Sequence, residues 1–306
     1  MKQTQAFLST YTADVSGVCS ALFELGGMTV MHDASGCNST YNTHDEPRWY
    51  DMDSLVFISG LSELEAVMGD DEKLITDIVD AARQLHPRFI ALSGTPIPMI
   101  TGCDLPAIAR EVEGRTKIPS FAVPSNGIGT YVAGAGQALR LYAERFITKA
   151  PDKRKNAVNI LGATPLDFSV NGCVQSMARR LEEAGFTLQS VFAMGSSFDS
   201  VDEAGAAEAN LVISSVGLPA AKYLQAQFGT PYVIGAPFGD FFSPYVFDAL
   251  RESIRTGAPA DVLGTFAPDA PDTIILGESV TAKSLAAALA VGYGIRARVI
   301  CPVEAP

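Results

Sequence analysis

Met28-Thr-Val-Met-His-Asp-Ala-Ser-Gly-Cys37 is the stretch that decides the fold. The apolar run Met28 to Met31 reads as a buried strand, followed by a polar, glycine-bearing turn that carries Cys37. Loops beyond a strand's carboxyl end are where open α/β sheets place their ligands. A second thiol precedes the strand in Thr10-Tyr-Thr-Ala-Asp-Val-Ser-Gly-Val-Cys19, read as another glycine-bearing turn. Backbone N–H groups of such turns point at a cluster sulfur or another anion. Cys19 and Cys37 are therefore candidate metal or iron–sulfur ligands. Seventeen residues separate them and no C-x-x-C anchors the pair. Spacing alone leaves a second reading open, in which both are free cysteines buried as small hydrophobes.

The same rhythm runs outward from this strand. Apolar runs recur at Ser54–Ile58, Arg88–Leu92, Pro119–Val123, Ala157–Leu161, Thr187–Ala193, Leu211–Ser214, Tyr232–Ile234, Thr273–Leu276 and Arg298–Cys301. Helix-period segments lie between most of them: Asp71–Leu85, Tyr131–Phe146, Val170–Ala184 and Val280–Val291. Strands alternating with helices predict parallel sheets built from right-handed βαβ units. The charged break Lys149-Ala-Pro-Asp-Lys-Arg-Lys155 and the proline-rich stretch Gly257 to Asp272 divide the chain. The expected layout is an N-terminal α/β domain over 1–150, a second Rossmann-like domain over 151–257, and a linker with a partial third β-α-β unit over 258–306.

Composition narrows the function. The 306 residues are 47% hydrophobic and 18% charged, ample for well-buried cores, and carry a formal charge of −12. That surface repels phosphate backbones, so nucleic acid is not an expected partner. Five cysteines are too few and too odd for a disulfide framework. The start lacks the apolar core of a signal peptide and no run approaches a membrane span, so the expectation is a cytoplasmic protein away from membranes. No P-loop and no G-x-S-x-G elbow occurs. Gly127-Ile-Gly129 and Gly134-Ala-Gly136 each lack the third glycine of a dinucleotide fingerprint and read as loop and helix packing.

In this order the elements resemble the nitrogenase component 1 family: the molybdenum–iron proteins, their cofactor-assembly relatives and the dark-operative tetrapyrrole reductases. The likeness lies in the cysteine at 19, the strand into His32-Asp-Ala-Ser-Gly-Cys37, Phe57-Ile-Ser-Gly60-Leu61, and Ser93-Gly-Thr95-Pro96 through Asp104. The resemblance implies that Cys19 and Cys37 ligate an iron–sulfur cluster, a [4Fe–4S] cube shared across a subunit interface, with Gly36 shaping the turn. The family's third ligand position falls on Thr95, a poor ligand for iron, with Cys103 eight residues on as the alternative. The family's cysteine for the catalytic metal cofactor falls on Ser214, and the matching histidine belongs to a third domain that this chain does not reach. Dinitrogen reduction is therefore not expected. Two thiolates per chain satisfy a cube if two chains meet, as a homodimer or with a paralogous component 1 subunit. The resemblance also implies an ATP-dependent iron protein as electron donor and a small-molecule substrate, held near Gly162–Ser169, Ser214–Pro219 and Gly235–Pro244. The alternative is a non-catalytic scaffold for cluster or metallocofactor assembly.

The polar loop after Cys37 contains His44, Asp45 and Glu46, which in this reading are proton donors or substrate contacts beside the cluster. The competing reading is an ordered surface loop, with Arg48 paired to a carboxylate and Trp49 as its anchor. His32, at a strand end, reads as a satisfied buried imidazole, and His86 as structural.

Overall fold

The computed structural model describes residues 12–34, 36, 38, 41, 46–147, 152–264 and 271–302. Cys37, His44 and Asp45 lie outside the described residues. The chain divides into two compact units between Leu141 and Tyr142.

The first unit contains α1 (Asp14–Leu22), β1 (Met28–His32), β2 (Leu55–Ile58), α2 (Glu63–Met68), α3 (Asp71–Leu85), β3 (Ile90–Gly94), α4 (Pro96–Thr101), α5 (Leu105–Thr116) and β4 (Ser120–Val123). The helix α6 (Tyr131–Phe146) carries the chain past the division. Its four-stranded sheet runs β2-β1-β3-β4, all neighbours parallel. β1 and β3 are buried along their full length, as central strands of a sheet covered on both faces must be. α3 shows why its sequence is helical: Asp70 caps the amide of Lys73, and Leu74, Ile75, Ile78, Val79 and Ala82 form one buried stripe. It ends at His86, in the left-handed conformation with its N–H bonded to the Ala82 carbonyl.

The second unit contains β5 (Ala157–Leu161), α7 (Pro165–Phe168), α8 (Cys173–Glu183), β6 (Thr187–Val191), α9 (Phe198–Asp202), β7 (Ala209–Val212), α10 (Leu218–Phe228), β8 (Tyr232–Ile234), α11 (Gly239–Thr256) and β9 (Ala260–Asp261). It closes with β10 (Thr273–Leu276), α12 (Ser279–Tyr293) and β11 (Ala297–Ile300). Five parallel strands form one sheet in the order β6-β5-β7-β8-β9, and β10 pairs in parallel with β11 in a separate small sheet. The fold is thus α/β with two Rossmann-like sheets and a partial third β-α-β segment.

Three local expectations are corrected. Cys19 is not in a turn but inside α1, because Gly17 serves a helix crossing: a Cβ there would lie 2.1 Å from the Tyr131 carbonyl oxygen on α6. The helix expected over Val170–Ala184 begins at Cys173, since Gly172 takes a left-handed φ of 88°. Ala260 and Asp261, read as linker, add a short edge strand beside β8.

Candidate site at the carboxyl ends of β1 and β3

A cavity of about 530 Å³ opens where β1 and β3 end. Thr12, Val15 and Ser16 line it from the start of α1, Asp33 and Asn38 from the loop after β1, and Thr95, Pro96 and Ile97 from the turn into α4. Cys37 lies in sequence between two described residues of this loop, Gly36 and Asn38. The loop's first half is pinned by polar contacts. Asp33 accepts from the Ala34 amide at 2.9 Å and from Asn38 Nδ2 at 2.6 Å, while Ser59 Oγ meets His32 Nδ1 at 2.9 Å. His32 is buried at the end of β1, and that burial lowers its pKa, partly opposed by Asp71, Asp33 and Glu65.

Thr95 is buried on the cavity wall with its hydroxyl donating to the His32 carbonyl at 2.8 Å. Thr12 Oγ1 is buried there with no hydrogen-bond partner among the described residues, so a cavity occupant can offer one. The Gly127-Ile-Gly129 loop forms the remaining wall through Gly127. It cradles the chain's own carboxylate: Asp14 accepts from the amides of Asn126 at 3.0 Å and Gly127 at 2.8 Å. The sequence gives no sign of this nest beyond an acidic residue at a helix start.

Cys19 does not line the cavity. It is fully buried among Val15, Phe23, Met31, Tyr41 and Val56. Burial, reinforced by Glu46, pushes its thiol far above the usual range. Glu46 is buried too. Its two oxygens accept from Arg48 Nε and Nη2, each at 2.7 Å, and Tyr41 donates to it at 3.3 Å. Arg48 also bonds Glu24 and the Ser20 carbonyl and lies 4.7 Å over the Phe23 ring. A carboxylate forked by a guanidinium holds the loop's far end to α1, so Glu46 stands in a structural ion pair. Trp49 packs against Phe23 and Tyr41 beside it.

Cys103 does not line this cavity either. Cys103 is half-buried, its thiol donating to Asp71 and pushed up to about 12 by desolvation and that carboxylate. Cys173 packs against the core of the second unit. Among the described residues no three His, Cys, Asp or Glu side chains gather as a metal-holding group. The loops expected to hold substrate in the second unit are partly buried: Ala163, Thr164, Ser214, Val216 and Ala236 have no exposure, while Ser169, Gly239, Asp240, Phe241 and Pro244 are exposed.

The sequence profile described as nitrogenase component 1 type oxidoreductase matches residues 16–263. A subunit of the light-independent protochlorophyllide reductase of Nostoc punctiforme is 28% identical over 181 residues, 56% of this chain and 36% of that protein. The nitrogenase iron-molybdenum cofactor biosynthesis protein NifE of Clostridium pasteurianum is 26% identical over 179 residues, 58% of this chain and 38% of that protein. The matched stretch thus spans little more than a third of either relative. The solved structure of nitrogenase Cp1 at pH 5 superposes with a TM-score of 0.71 at 18% identity, covering 98% of this chain and 66% of that one, and so shares the fold. With the profile spanning most of the chain, this protein belongs to the nitrogenase component 1 type oxidoreductase family.

Proposed function

We propose that this chain is a component 1-type reductase subunit that works across an interface. It takes electrons from an ATP-dependent iron protein through an iron–sulfur cluster shared with a second chain, and serves the reduction of a small molecule other than dinitrogen. The observation that carries this reading is the cavity at the ends of β1 and β3, beside the loop that bears Cys37. Partner surface lies next to it. α4, whose first turn lines the cavity, exposes Ile100 at 77%, and α2 beside it exposes Val67 at 76% together with Leu64 and Met68. Apolar surface of this kind marks protein contacts.

Cys19 and Cys37 are this chain's proposed thiolates, and a [4Fe–4S] cube takes four. A homodimer supplies two from each chain, and a paralogous component 1 subunit is the alternative. Gly36 and Thr95 are this chain's backbone and wall contacts. His44 and Asp45 remain the loop's candidates for proton supply; Glu46 does not, because Arg48 occupies both oxygens. No helix among the described residues is long and apolar enough to cross a membrane, and we place the assembly in the cytoplasm.

The second reading, a scaffold for cluster or metallocofactor assembly, is favoured by the likeness to a cofactor biosynthesis protein. One experiment separates the readings. The chain is purified without oxygen, alone and with its paralogous partner, and assayed for iron, acid-labile sulfide and turnover with iron protein, ATP and reductant. Iron in either preparation with turnover supports the reductase; iron without turnover supports the scaffold. Neither iron nor sulfide in either preparation overturns both.

A further inference from the structure

A second cavity, of about 470 Å³, lies within the first unit. It shares no lining residue with the candidate site. α4 is common to the two: Pro96 and Ile97 line the first cavity, Pro98 and Met99 the second. The strands beneath the second are β3, at Gly94, and the edge strand β4, at Ala122 and Val123. It therefore stands away from the point between β1 and β3 where strand order reverses and an open sheet ordinarily takes its ligand. Its volume is in the range that holds a small organic molecule. Met99 is 46% exposed and Val123 only 1%, so the cavity runs from an open rim to a closed floor.

The walls decide what fits. None of the lining residues is charged, and Leu105, Ala122, Val123 and Leu141 make most of the surface apolar. Pro98, Pro106 and Pro124 bring carbonyls but no N–H. The amides of Gly94, Met99 and Cys103 are spent on Ser125 Oγ at 2.9 Å, the Thr95 carbonyl at 3.2 Å and the Pro98 carbonyl at 3.0 Å. Ser125 gives its hydroxyl proton to the Gly94 carbonyl at 3.1 Å, and the Cys103 thiol donates to Asp71 at 3.8 Å. A carboxylate or phosphate here would lose its hydration with neither a cation nor a free side-chain donor in exchange. Two sulfurs remain on the wall, those of Met99 and Cys103. Thioether sulfur makes favourable contacts with aromatic rings, often at the ring edge.

We infer that this cavity is a binding site for a small uncharged aromatic molecule of one or two rings, held by apolar contact and by the sulfur of Met99. The ring enters past Met99 and rests on the floor made by Leu105 and Val123, with its edge toward the thioether. The inference uses the first unit alone and stands whether or not the candidate site adjoins a cluster.

Titration of the full chain with indole, followed by NMR through isotope-labelled methionine methyl groups, tests it. The Met99 methyl signal, assigned by its loss in Met99→Ala, is expected to shift with the ring current and saturate. Those of Met28 and Met31, buried in β1, are expected to stay in place. Benzoate, an aromatic ring that carries a charge, is expected to move none of them. Ala122→Leu fills the cavity and is expected to abolish the indole shift. No saturable shift at Met99, or an equal response to benzoate, overturns the site. So does a shift that survives Ala122→Leu, because the ring then lies on the outer surface. If Ala122→Leu fails to fold, Cys103→Leu, at a half-buried position, fills the same cavity and is read in the same way.

Discussion

At the end of the first sheet, Asp33, Asn38 and Thr95 border a cavity. At the end of the second, Thr164, Ser214 and Ala236 are buried against the chain's own loops and α12. Both sheets are parallel and built from the same βαβ units, so topology does not make the difference. The residues after the strands do. In the first unit Thr95 bridges to the His32 carbonyl, Asp33 is spent on Ala34 and Asn38, and Asp14 on the 126–127 loop. The second has the matching bridge, Ser214 to Gly162, and adds a cover: Glu278 and Ser284 accept from the amides of Ser215 and Ala236. Fold supplies the crevice; local hydrogen bonding decides whether it stays open.

The sharpest way to break this contrast is to remove the thiol beside the open end. Cys37→Ala and Cys19→Ala in the anaerobically purified assembly are each expected to lose the iron, whereas Cys173→Ala keeps it. Iron analysis per chain reads the result. Iron retained at the parent ratio in Cys37→Ala would sink the assignment.

A large loss of stability is expected from the clamp at the far end of the loop. Arg48→Met takes the guanidinium from the buried Glu46 and the partly buried Glu24, which costs about 3–5 kcal/mol. Urea unfolding measures it. A loss below about 1 kcal/mol would mean that the pair behaves as an exposed one and does not hold the loop.

A somewhat smaller effect follows at the wall of the cavity. A Cβ on Gly134 would lie 2.0 Å from the Asp14 carbonyl oxygen, so Gly134→Ala must push α6 away from α1. Overpacking of that kind costs about 1–3 kcal/mol, and more where backbone has to move. The thermal midpoint should fall, and iron retention by the assembly should weaken with it because α1 lines the cavity. A midpoint equal to that of the parent chain would sink the helix-crossing argument.

What the sequence made legible follows from range. Asp71–Leu85 and Tyr131–Phe146 form helices over the spans read from their periodicity, because a local repeat and its caps suffice. The strand from Met28 was legible for the same reason. Cys19 was not, since Gly17 resembles a turn signal until Tyr131, more than a hundred residues on, is seen to need the space. Asp14 with Asn126, Arg48 with Glu24, and Glu278 with Ser215 are likewise pairings between distant segments, which no spacing rule reveals. The site was legible as a loop after a strand, whereas the burial of Cys19 within α1 was not.

The smallest expected effect concerns His32, which joins β1 to the cavity wall through Ser59 and Thr95. Burial lowers its pKa, with Asp71, Asp33 and Glu65 opposing the shift. The ordinary histidine value is about 6.5. Below that pH the unfolded chain takes up a proton that the folded chain resists, so the unfolded state binds more protons and stability falls as pH drops. Above it both states are neutral and the residue contributes no pH dependence. The parent chain should therefore lose stability between about pH 7 and pH 5.5 relative to His32→Gln, by less than about 1.4 kcal/mol per pH unit for a single proton. Urea midpoints of both proteins across that window give the difference, in which the carboxylates common to both cancel. A difference that stays flat, or that favours the parent as pH falls, would show that the carboxylates outweigh burial and that His32 is charged at the cavity's edge.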